Sequence, residues 1–253
     1  IDPSSKLTRF NPVYEQFGHS FQLYANCFFL ILFAICIATG YYLNGKSFKG
    51  YGELIRDTGH QSDFAAKYSM PVCLINIGLV GTCFLLYLDV IMVYTEGVGF
   101  TGATIGVVLA AMTFTCMGQH PGNIWPILAG YQLLYFVTMF LCHINGREMS
   151  WTITTQGYIN GVAFATGLCP IAGRYGRRAG IAAGFMCASM CTATSALHGG
   201  LVLYNGGFTT GITALILLPI LEHYIPKTRE FMNNKRLNKE DMIALVETFK
   251  PND

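Results

Sequence analysis

From Phe21 to Leu43 the chain runs for twenty-three residues without an Asp, Glu, Lys or Arg. About 20 such residues, rising 1.5 Å each, cross a hydrocarbon core of roughly 30 Å. In lipid every backbone N–H and C=O must be satisfied within the structure, so an uncharged run of this length predicts a membrane helix. Further apolar runs follow at Met70 to Tyr94, Thr101 to Gly118, Ile124 to Ile144, Thr152 to Gly173, Ala179 to Leu197 and Phe208 to Ile225. Together they predict an all-α, polytopic transmembrane bundle of about seven spans. The runs Thr101 to Gly118 and Ala179 to Leu197 are short enough to span or to re-enter. Charged residues make up 12% of the chain, against about 25% in a soluble domain.

Three regions are expected. Residues 1–20 hold the breakers Asp2-Pro3 and Asn11-Pro12 and read as an extracytoplasmic N-terminal arm; 21–225 form the transmembrane helical domain; 226–253 form a cytoplasmic C-terminal tail. In the tail, Asn238 to Asp241 caps a short amphipathic helix. The segment 44–69 mixes Lys46, Lys49, Arg56, Asp57, Asp63 and Lys67 with aromatic and aliphatic residues, as interfacial turns do. Under seven spans, Lys6, Arg9 and Arg147 are the three Lys and Arg on the N-terminal side, against thirteen on the other. The positive-inside rule then puts the N-terminus outside and the C-terminus in the cytoplasm.

The runs are separated by glycine-dense polar breaks: Gly97 to Gly102, Gln119-His120-Pro121-Gly122-Asn123, and His198 to Gly211. The first and last share Gly-Phe-Thr where a new helix should begin. A helix that starts at depth presents unpaired N–H groups and a partial positive charge, which suits an anion or the oxygen of a neutral polar solute. The candidate substrate-binding residues are therefore Asn205, Gly206, Gly207, Phe208, Thr209, Asn123, His120, His198, Asn76 and Thr101. The competing reading makes the breaks ordinary surface turns, with Gly for positive φ and Asn for capping. Pro126 is placed in the first turn of the fourth span, where its missing N–H is tolerated.

Ionisable residues inside the runs are few: Asp89 and Glu222, with Glu96 in a link. That scarcity argues against a proton pump, and Asp89 is the candidate for ion coupling. The nine cysteines fall inside apolar runs and read as packing residues, Cys187 and Cys191 included, so no metal and no cofactor are expected. A haem held by two of His19, His143 and His198 is a lesser alternative. No catalytic motif is visible, so the chain is not expected to be an enzyme, and a net charge of +2 gives no reason to expect nucleic acid.

Leu74 to Gly81, Gly99 to Ala103, His120 to Gly130 and Leu203 to Gly211 resemble, in order and spacing from about Phe28 to Tyr224, an uncharacterised bacterial multi-pass membrane family, domain of unknown function 1576. The resemblance implies a bacterial inner-membrane protein and no established activity. It also implies a unit usually present twice, of which this chain holds one copy; a homo-oligomer or a subunit of a membrane complex follows. The expected function is a channel or transporter for a small polar or anionic solute, with the lipid bilayer as its surroundings. The alternative is a non-catalytic structural or assembly subunit.

Overall fold

The computed structural model describes residues 19–60, 62–94, 102–149, 156–194 and 205–225. Every regular element among them is helical: α1 (His19–Leu43), α2 (Tyr51–Leu54), α3 (Phe64–Tyr68), α4 (Met70–Tyr94), α5 (Gly102–Thr113) with a 3₁₀ turn at Phe114–Met117, α6 (Pro121–Ile144), α7 (Gln156–Ala165) with a 3₁₀ turn at Thr166–Leu168, α8 (Cys169–Tyr175), α9 (Arg177–Thr194) and α10 (Asn205–Tyr224). The protein is an all-α transmembrane bundle. Four helices are long and apolar enough to cross a membrane, over Gln22–Leu43, Met70–Met92, Pro121–Ile144 and Gly206–Tyr224. Large side chains such as Phe28 and Ile31 on α1, Phe140 on α6 and Leu215 on α10 remain exposed on the outside, as a lipid-facing surface requires.

α1 packs along α4, α6 along α9, and α10 against α7 and α9. Small residues set how closely these helices approach. A Cβ on Gly130 would sit 2.3 Å from the Ile181 carbonyl oxygen, and one on Gly184 would sit 2.2 Å from that of Ile127. Backbone therefore meets backbone where α6 crosses α9, the packing that membrane helices use in place of a hydrophobic driving force. One core joins α1, α4 and the remaining bundle through residues such as Phe29, Phe84, Ile127, Tyr131 and Ile159; a smaller one, of Leu54, Phe64, Val72 and Cys73, pins α2 and α3 to the start of α4.

Two details depart from expectation. The run Thr152 to Gly173 is not one helix: it breaks at Thr166–Leu168, and α8 restarts with Pro170 in its first turn. Pro170 has no N–H to return to Thr166, and the Thr166 hydroxyl donates to the Ala163 carbonyl, so the ladder is interrupted from both sides. The fourth run begins at Pro121, so Pro126 lies in the second turn of α6 and not the first. The N-terminal arm, the tail and its amphipathic helix, and the link holding Glu96 lie outside the described residues.

Candidate functional site

Contacts bring the 55–60 loop, Gly118 to His120, the end of α8 and the end of α10 to one end of the bundle. The seam depends on glycine. Gly59 (φ +71°) and Gly118 (φ +109°) both take left-handed conformations that favour glycine, and each faces the other's carbonyl, 2.2–2.3 Å from where a Cβ would stand. On the other flank the Thr58 carbonyl oxygen lies 2.1 Å from a Cβ placed on Gly173. The loop is thus inserted between the α5–α6 break and α8.

The break is tied together by side chains. His120 adopts an extended backbone and caps α6: its Nδ1 accepts from the Gly122 N–H at 3.1 Å, and its own N–H donates to Asn123 Oδ1 at 2.9 Å. Asn123 Nδ2 returns to the Gly118 carbonyl at 2.8 Å. Since Nδ1 is an acceptor, the ring proton sits on Nε2, which donates to the Asp57 carbonyl at 2.8 Å. Burial holds the His120 pKa below its ordinary value, so the ring is neutral near pH 7. Burial pushes the Asp57 carboxyl the other way, upward, but donors from Lys67, Tyr68, the Gly59 N–H and Ser62 overcome it and bring the pKa down to about 2.

Deeper in, the Asn76 amide donates to the Gln119 carbonyl at 2.7 Å and to the Thr115 carbonyl at 3.2 Å. Gln119 Nε2 donates to Thr166 Oγ1 at the other 3₁₀ turn. Asn76 is 0% and Gln119 1% exposed. Their oxygens, Asn76 Oδ1 and Gln119 Oε1, receive no donor from the described residues, a state that costs about 1–3 kcal/mol per group if left so.

An open cavity of about 920 Å³ lies against this seam, and Arg56, Arg177 and Arg178 line it together with the starts of α6 and α9. Among the described lining residues, three guanidiniums and two positive helix ends stand against one carboxylate, Asp57, whose oxygens are already engaged, so this lining is electropositive. Arg177 stacks 5.5 Å over the Trp125 ring. Beside it Arg174 donates to His60 Nε2 at 2.7 Å and lies 3.9 Å from Glu222.

Of the sequence candidates, the structure gathers Asn76, His120 and Asn123 at this seam. Gly206 and Thr209 stand elsewhere: Gly206 packs on the Asn160 carbonyl, and Thr209, buried, turns its hydroxyl to Gly206 and receives the Cys187 thiol at 3.7 Å. Gly207 and Phe208 are exposed. Asp89 pairs with α1, accepting from Asn26 at 2.8 Å and Gln22 at 3.4 Å; thirteen residues along α4 put it about 20 Å from Asn76. Thr101, His198 and the side chain of Asn205 lie outside the described residues. His143, of the haem alternative, is exposed at the opposite end of α6. Among the described residues no three His, Cys, Asp or Glu side chains group as metal ligands.

Sequence reasoning missed Gln119, Thr166, Asp57 and the arginines as one site. Gln119 had a usable signal, an amide at the end of an apolar run that needs a partner; the insertion of the 55–60 loop had none. A family model described as "Protein of unknown function (DUF1576)" matches residues 43–223. No curated protein and no solved structure matches.

Proposed function

Starting from the fact that the chain belongs to the DUF1576 family of proteins of unknown function, we propose that it is a membrane transport protein for a small anionic solute. The solute enters the cavity bounded by Arg56, Arg177 and Arg178. One observation carries this reading: the electropositive cavity opens onto the α5–α6 break at His120, Gly122 and Asn123, and across that break the buried Asn76–Gln119–Thr166 chain ties α4, the break and α7–α8 inside the bundle. Polar groups at membrane depth are costly and serve pathways or binding sites. Supporting the orientation, the described end that holds the cavity carries Lys46, Lys49, Arg56, Lys67, Arg174, Arg177 and Arg178, while the opposite loop carries Arg147. By the positive-inside rule the cavity then faces the cytoplasm. On this reading α5, α7–α8 and α9 complete seven passes.

The test is uptake in proteoliposomes of labelled inorganic phosphate, sulfate and acetate, with chloride as control. A saturable flux of one of them, reduced at least about ten-fold by Arg177→Gln with Arg178→Gln, is expected, since two charge-assisted contacts are lost. Absence of flux for every anion, with the protein folded, would favour the assembly-subunit reading.

A further inference from the structure

The α5–α6 break has two electrical sides. The start of α6, positive, faces the cavity; the carboxyl end of α5 and its 3₁₀ turn, negative, faces α4. On that second side the hydrogen bonds fix which way both amides point. Asn76 Nδ2 is held by the carbonyls of Thr115 and Gln119, so Oδ1 is turned away from them. The Thr166 hydroxyl gives its proton to the Ala163 carbonyl, so Gln119 must meet it with Nε2 and leave Oε1 as the free end. Neither oxygen has a donor among the described residues, and both residues are at least nine-tenths buried.

We propose that Asn76 Oδ1 and Gln119 Oε1 are the side-chain ligands of an alkali-metal cation bound at the carboxyl end of the α5 segment. Three observations bear on the choice of ligand. The oxygens are uncharged amide carbonyls, the ligands an alkali-metal ion accepts, whereas a divalent ion draws on carboxylates. Asp57, the nearby acid, has its carboxylate engaged by Lys67, Tyr68, Ser62 and the Gly59 N–H. The carboxyl end of the segment supplies a negative partial charge, the setting in which interrupted membrane helices hold such ions. The site rests on these contacts and not on the anion cavity, which lies across the break.

The experiment uses the full chain in detergent. Thermal unfolding is followed as choline chloride is replaced by sodium or potassium chloride at constant ionic strength, with no anionic solute added. A ligand bound by the folded state alone raises the midpoint saturably, and such a rise with one of the two cations is expected. Gln119→Glu, assayed at about pH 8, should lower the half-saturating concentration about ten-fold or more, because a charged oxygen replaces a neutral one. Gln119→Met, which keeps the length without the oxygen, should remove the cation dependence. A wild-type midpoint indifferent to cation identity would overturn the proposal and leave the two oxygens to water. So would an unchanged cation dependence in Gln119→Met or, should that variant not fold, an unchanged half-saturation in Gln119→Glu. Loss of anion flux with cation dependence intact would refute the transport reading and spare this one.

Discussion

The break at Gly118 to Asn123 and the start of α10 are both glycine-dense polar interruptions, yet their polar side chains do opposite things. At the first, His120 reaches Asp57, Gln119 reaches Thr166 and Asn76 reaches in from α4, joining positions 39 to 63 residues apart. At the second, the Thr209 and Thr210 hydroxyls donate to the Gly206 carbonyl, and Thr213 donates to the Thr209 carbonyl, within their own helix; these three reach α9 by long sulfur contacts with Cys187 and Met190. The difference lies in side-chain reach. A Thr hydroxyl is short enough to bond the preceding turn, which makes it locally self-sufficient. An amide or imidazole carries a donor and an acceptor on a longer arm and finds partners on other elements. Polar density alone therefore does not mark where a bundle is cross-tied.

That contrast can be broken by substitution, with unfolding in detergent as the readout. Gly118→Ala forces a Cβ into a left-handed position against the Gly59 carbonyl, and a loss of about 3 kcal/mol or more is expected. Asp57→Ala removes the acceptor of four donors and should cost about 2–4 kcal/mol, most of it from leaving those donors unmatched. The same carboxylate sets an acid limit. Its pKa, about 2 in the folded protein, is depressed below the ordinary value, so its stabilisation is complete above about pH 4 and is lost as pH falls toward 2. A pH titration of the unfolding midpoint should show this decline in the wild type and not in Asp57→Asn. His120→Ala, which loses a cap and the Asp57 link, should cost about 1–2 kcal/mol. Thr209→Val sits at the bottom, below about 1 kcal/mol, because it deletes one bond within its own turn and one weak thiol contact from Cys187. A Thr209→Val penalty equal to that of His120→Ala would dissolve the contrast.

The architecture was legible because period and length are local properties: the uncharged run at 21–43 can do little besides form a helix, and the structure places α1 there. The two missed features are not local. Pro170 signals an interruption, but the 3₁₀ turn ahead of it depends on a Thr166 hydroxyl that also answers to Gln119, 47 residues away. Likewise His120 and Asn123 were visible as break residues, and the capping box they form is written in their spacing. Their third partner, the Asp57 carbonyl, is a backbone atom in a loop whose sequence gives no hint of insertion.

The seating of the 55–60 loop also bears on how the bundle is assembled. Asp57 is separated from His120 by 63 residues and His60 from Arg174 by 114. Both partners leave the ribosome after the loop does. The α1–α4 hairpin therefore enters the bilayer with its connecting loop still lacking these contacts, and the Thr58 carbonyl finds its place on Gly173 once α8 has been synthesised. The loop cannot be fully seated before Gly173 has been synthesised, and a chain cut short before that residue would display an unseated loop to the machinery that surveys membrane insertion.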